Sequence, residues 1–86
     1  MRNGLEIDSY GNKLWFKEGG LHRLDGPAIE WNDGDKEWYK EGKRHRLDGP
    51  AIEYSNGGKY WYINGEKIEV SSNEEFLRYI KLKVFI

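Results

Sequence analysis

Eighty-six residues without a cysteine form one small domain held by packing alone, with neither a disulfide nor a thiolate-bound metal to staple it. Lys and Arg total 14 against 15 Asp and Glu, interleaved along the chain, which argues against both a basic duplex-binding surface and an acidic imitation of DNA. No apolar run approaches the ~20 residues of a membrane-spanning helix, and Met1-Arg2-Asn3-Gly4 does not read as a signal peptide, so the expected setting is soluble and cytoplasmic.

The chain begins with a degenerate unit: Leu5-Glu6-Ile7, a turn at Tyr10-Gly11-Asn12, and an aromatic strand Lys13–Lys17. The alternation of Leu5 and Ile7 is shifted by one residue relative to later units, which predicts a loop one residue longer here. The stretch His22-Arg23-Leu24-Asp25-Gly26-Pro27-Ala28-Ile29-Glu30 follows, and it returns letter for letter at His45–Glu53, an offset of 23 residues. Nine consecutive identities in so short a chain mark a repeat array in which each copy builds the same unit. Pro27–Trp31 alternates, with Ile29 and Trp31 on one face and Glu30 on the other, and predicts a strand. Asn32-Asp33-Gly34-Asp35 supplies the positive-φ chemistry of a tight turn, and the chain returns as Lys36–Lys40. The second copy repeats the plan with Ala51–Tyr54, a turn at Asn56-Gly57-Gly58, and Lys59–Ile63. The aromatic strands around Trp15, Trp38 and Trp61 keep the same offset.

Asp25-Gly26-Pro27 and Asp48-Gly49-Pro50 read as sharp connections, with Asp accepting backbone N–H groups, Gly opening φ space and Pro starting a strand. Asn64-Gly65 is a two-residue hairpin signal leading into Glu66–Val70. The third copy then departs from the pattern. Ser72 with Glu75 forms a capping box, and Phe76, Leu77 and Ile80 recur at helical spacing. This predicts a helix over Asn73–Leu82 within a cap spanning 71–86, although the alternation of Ile80–Ile86 also fits a terminal strand. The fold expected is mainly β: a single twisted antiparallel meander of six or seven strands, closed by a short C-terminal capping helix. Its three 23-residue β-hairpin repeats span about 5–20, 21–43 and 44–66 of one 1–86 domain.

Trp38-Tyr39-Lys40-Glu41-Gly42-Lys43-Arg44-His45, followed by a strand, an Asn-Gly turn and another aromatic strand, resembles the MORN repeat (membrane occupation and recognition nexus). The resemblance covers roughly residues 10–66. It departs where that repeat continues His-Gly-x-Gly and this chain has His45-Arg46-Leu47-Asp48-Gly49-Pro50-Ala51. The HR-x-DGPA variant is similar to repeats of small phage and bacterial proteins, and the likeness implies stacked hairpins without carrying over the lipid role of the parent family.

Two constellations are candidate sites. His22, Arg23, His45 and Arg46 could hold a small anion such as a nucleotide. Equally, Asp25 and Asp48 cap their turns, the arginines pair with carboxylates and the histidines pack on Trp rings, and recurrence in each hairpin favours that structural role. No Ser or Cys stands beside either His to act as a nucleophile, and two His without clustered ligands argue against a metal, so the reading is non-enzymatic, with no cofactor and no metal. The second candidate is the aromatic ladder. Trp15, Trp38 and Trp61 point to one side, taken as core, and Phe16, Tyr39 and Tyr62 to the other, where exposed rings among mixed charges suit a protein partner. Stacking of RNA on Tyr39, Tyr60 and Tyr62 conflicts with the balanced charge. A membrane-dipping tail at Lys81, Lys83, Phe85 and Ile86 is too short and too weakly basic. The expected function is a protein-binding module, by resemblance a phage-type accessory protein that inhibits or modulates a host protein through its aromatic face. Sequestration of an anionic ligand is the alternative, and assembly as a homodimer is left open.

Overall fold

The computed structural model describes residues 1–84. It is a flat antiparallel meander, 43 × 30 × 18 Å, with one helix laid across its C-terminal end. The strands are β1 (Gly4–Ile7), β2 (Lys13–Lys17), β3 (Gly20–Leu21), β4 (Ile29–Glu30), β5 (Lys36–Glu37), β6 (Tyr39–Lys40), β7 (Lys43–Arg44), β8 (Ile52–Glu53), β9 (Lys59–Ile63) and β10 (Glu66–Ile68), followed by α1 (Asn73–Val84). The main sheet runs β1-β2-β4-β5-β8-β9-β10 with β3 on β2, and β6-β7 forms a separate two-stranded ribbon. Among the described residues no helix is long and apolar enough to cross a membrane.

Mainly β with a C-terminal helix is as expected, but ten strands replace six or seven. The extra ones arise because each aromatic strand makes two hairpins. Its first half pairs with the strand before it, as Ile29 with Glu37. Its second half turns back at Glu18-Gly19, Glu41-Gly42 or Asn64-Gly65 to pair with β3, β7 or β10. All six turn residues have positive φ, 50–51° at the first position and 81–84° at the second, the two-residue geometry that matches strand twist. Sequence reasoning identified only Asn64-Gly65, because Glu is not a residue that visits this region readily.

The other turns correct a second expectation. Asp8–Asn12, Trp31–Asp35 and Tyr54–Gly58 have the same length. In each the first residue's N–H donates to the fifth residue's carbonyl, at 3.1, 2.9 and 2.8 Å, and the Gly N–H returns to the first residue's carbonyl. The N-terminal loop is therefore not longer. With register preserved, Glu6 takes the place that Ile29 occupies one repeat later, and Leu5 and Ile7 lie exposed on the opposite face.

The compact core sits under the helix. Trp61, Ile68 and Phe76 are buried together, with Ile63, Val70, Tyr79 and Ile80 packed around them. The Ser72 hydroxyl accepts the Glu75 N–H at 3.2 Å, while the Glu75 carboxylate takes the Ser71 hydroxyl rather than returning to Ser72. Helix continues through Val84, so the strand alternative fails over Ile80–Val84; Phe85 and Ile86 lie outside the described residues.

Left-handed φ at a non-glycine residue is strained unless its side chain is short and polar, as in Asn. Glu41→Asn should therefore raise stability by about 0.5–1 kcal/mol, read as a higher denaturant midpoint at unchanged slope. An unchanged or lower midpoint contradicts this account of the turn.

Candidate functional site

The nine-residue repeat builds one object, twice. The Arg23 guanidinium lies flat on Trp15, 3.8 Å from the ring centroid, and Arg46 lies on Trp38 at 3.9 Å. Arg23 Nε donates to Asp25 at 3.0 Å, and Nη1 to the Pro27 carbonyl and to Glu30, both at 3.1 Å. Arg46 repeats this on Asp48 (2.9 Å), Pro50 (3.0 Å) and Glu53 (2.8 Å).

The glycine follows from that packing. A Cβ on Gly26 would come 3.0 Å from Arg23 Cζ, and one on Gly49 2.8 Å from Arg46 Cζ, and neither glycine has positive φ. Gly26 and Gly49 therefore make room for a guanidinium; they do not open φ space for a turn. Asp25 and Asp48 likewise accept the Arg Nε, not backbone N–H groups, so turn capping by Asp is corrected. Both Asp side chains are almost fully exposed, and such pairs contribute at most about 1 kcal/mol. Glu30 and Glu53 are better shielded from solvent, so their bonds to the arginines are less screened.

The histidines do not pack on Trp, since arginine holds that place. His22 Nδ1 accepts the Glu41 N–H and His45 Nδ1 accepts the Asn64 N–H, both at 2.9 Å. Each His, at the start of its repeat, thereby binds the tight turn that ends the same repeat. At the first turn the Glu18 N–H finds Asn3 Oδ1 instead. Accepting at Nδ1 requires the neutral ring. Burial, and secondarily the charge of Lys40, hold His45 below the usual His range.

The four proposed anion ligands do not converge. Arg23, His45 and Arg46 border a cleft of about 410 Å³ between repeats, whereas His22 borders a separate one of about 270 Å³ with Lys17, Glu18 and Glu41. Arg23 and Arg46 enter their cleft with two carboxylates already on each. Among the described residues no three His, Asp or Glu side chains are grouped to hold a metal ion.

The opposite face carries the aromatic row. Phe16, Tyr39 and Tyr62 are half-buried, each beneath a cation: Arg2 lies 5.1 Å from Phe16, and Arg44 sits between Tyr39 (5.7 Å) and Tyr62 (5.5 Å). Glu37, 13% exposed, ties the middle of the face. It accepts the Trp31 indole N–H at 2.7 Å, the Tyr39 hydroxyl at 2.9 Å and Arg44 Nη2 at 3.3 Å. Burial first, and the Glu37 hydrogen bond second, push the Tyr39 phenol up to about 12, so it remains a donor.

Tyr39 is thus a structural member of its face. Besides Tyr10 on the first wide turn, the more exposed rings are Trp31, Tyr54 and Tyr60, with Tyr54 edge-on to Tyr60 at 5.9 Å and Lys67 above Tyr60 at 5.1 Å. Sequence reasoning did not assign them to a protein interface. The signal was available, because Trp31 and Tyr54 are equivalent by the 23-residue offset and Tyr60 shares the parity of Tyr62.

Comparison of the chain with protein-family models, curated proteins and solved structures gives no match.

The histidine bond makes stability pH-dependent in a defined direction. With its folded-state pKa lowered, His45 takes up a proton in the unfolded chain first. Its contribution is complete above the ordinary value of 6.5 and is lost as pH falls through the folded-state value. The stability difference between the parent and His45→Phe should therefore shrink on acidification from about pH 7.5 to about pH 5. Denaturant titrations check this, and a difference constant with pH contradicts it.

Proposed function

We propose that the protein is a non-enzymatic binding module of the MORN-like repeat kind, whose aromatic sheet face engages another protein. The observation that carries this reading is a row of six rings on one face. It runs from Phe16 through Trp31, Tyr39 and Tyr62 to Tyr54 and Tyr60, and three of these are exposed. The helix α1 and the arginine corners both lie on the other side. Large rigid rings supply contact area at low entropic cost and are the residues that dominate interfaces, and the cations above them add directional contacts for acceptors on a partner.

The resemblance of the HR-x-DGPA repeats to those of small phage and bacterial proteins suggests the setting: a phage-type accessory protein in the host cytoplasm that inhibits or modulates a host protein. Sequestering a small anion at the corners is supported less well, since the Arg23 and Arg46 side chains are already engaged by Asp, Glu and a backbone carbonyl.

The discriminating experiment is affinity capture from a bacterial lysate with the parent, Tyr60→Ser and His45→Phe side by side, identified by mass spectrometry. Tyr60→Ser should stay folded, with a cooperative melt, and lose a partner that the parent enriches, since truncating a ring that anchors an interface costs about 2 kcal/mol or more of binding. If Tyr60→Ser captures that partner normally while folded His45→Phe does not, the corners are the site and the aromatic face is not.

A further inference from the structure

In the repeated nonapeptide every residue but one has a structural task. His accepts a turn amide, Arg covers a Trp, Asp and Glu hold the Arg, Gly clears room for it and Pro offers its carbonyl. Ala28 and Ala51 are fully buried, and Ile29 and Ile52 nearly so. The exception is leucine. Leu24 is 80% exposed and Leu47 52%, yet both copies carry the same large apolar side chain. Some other exposed equivalents differ between the copies, as Asn32 from Ser55 and Asp33 from Asn56, while the exposed lysines Lys36 and Lys59 are kept as charges suited to solvent. Leu24 gains little from burial in the isolated chain, and Leu47 leaves about half of its surface open.

Both leucines border clefts, and the clefts are consecutive. The first, about 410 Å³, lies between Leu24 and Leu47 over Trp38, Lys40 and His45. The second, about 350 Å³, lies between Leu47 and α1 and is lined by Ile63, Ile68, Tyr79, Ile80 and Lys83. Ile63 and Ile68 are the third-repeat equivalents of Lys40 and His45, so one groove recurs and becomes apolar toward the helix, with Leu47 as the shared ridge. It lies on the Trp side, opposite the aromatic row.

We propose that this trough docks an amphipathic helix of a protein partner that carries acidic residues on its flanks. Pockets one repeat apart are separated by two strand spacings, roughly 9–10 Å. Apolar side chains at i and i+7 of an α-helix are about 10.5 Å apart, which matches. An extended peptide would need backbone partners, but the corner N–H groups are already engaged: Arg23 to Tyr39, His45 to Trp38 and Arg46 to Tyr62. A helix satisfies its own backbone. Arg23, Arg46 and Asp48 are paired within the sheet. Lys40 has no carboxylate within 4.0 Å among the described residues, and Lys83 rests on Tyr79; one carboxylate, Glu66, lies on the rim of the second cleft.

The test uses the full chain and three synthetic peptides of about 15 residues: a helix with Leu at i, i+3 and i+7 and Glu on its flanks, the same helix with Lys flanks, and the Glu peptide broken by a central Pro. Fluorescence anisotropy should show saturable binding of the Glu peptide, about tenfold weaker binding of the other two, and about tenfold loss in Leu24→Ser/Leu47→Ser with the cooperative unfolding transition retained. Lys40→Glu should shift preference toward the Lys peptide. Tyr60→Ser, on the other face, should bind the Glu peptide normally, so this test and that of the aromatic face fail independently. Absence of saturable binding, or binding indifferent to the leucines, overturns the proposal. So does leucine-dependent capture by phosphatidylglycerol vesicles without peptide binding, which would identify a membrane surface instead.

Discussion

A planar guanidinium lying on an indole, held at its edge by two carboxylates and a carbonyl, is the constraint on which the rest depends. In a sheet one layer thick there is no second layer to bury the Trp row. Arg23 and Arg46 substitute for that layer at Trp15 and Trp38. A cation over an indole contributes about 0.5–2 kcal/mol according to its desolvation, and here the Arg side chains are only 22–23% exposed. Such shielding would be costly without full hydrogen bonding. The fixed Asp, Pro carbonyl and Glu therefore follow from the Arg, and the glycine follows from its volume.

At the third repeat the same position is solved differently. The Trp61 ring meets Phe76 from α1, with centroids 6.4 Å apart, and its indole N–H goes to Asn73. Ile68 stands where His45 stood, since no further turn needs an acceptor. The side-chain links between hairpin loops behave likewise. Asn12 accepts the Asn32 N–H and Asp35 the Ser55 N–H, both at 2.7 Å, while the next equivalent position is Gly58, which has no acceptor to offer. The apolar cap and the arginine corners are two answers to one demand, which is why the helix can end the pattern without disturbing the sheet.

Repeat period, strand character, the two kinds of turn residue and the capping helix were legible because they rest on local chemistry: alternation, Asn-Gly and Asp-Gly pairs, and Ser72 before a helical stripe. What was not legible is relational. Nothing local says that Gly26 answers a side chain three residues back rather than a torsion angle, or that His22 reaches the amide of Glu41 at the far end of its repeat. Glu41 at positive φ contradicts its own propensity and is imposed by the hairpin on either side. The Trp and Tyr rows were separated correctly by parity, but their exposure was not. Arg44 and Glu37 draw Tyr39 inward, and the rings left outside are those on or beside the wide turns.

The arginine corner leaves two faces free for other work, one lined by rings and one lipped by leucines. Whether the corner organises the fold is decided by a double-mutant cycle on Trp38 and Arg46, using Trp38→Leu, Arg46→Met and the pair, followed by chemical denaturation. The account predicts a coupling of about 1–2 kcal/mol, with the double variant losing less than the sum of the singles. Additivity within about 0.5 kcal/mol would mean that the stacked guanidinium is incidental and that the hairpins hold one another without it.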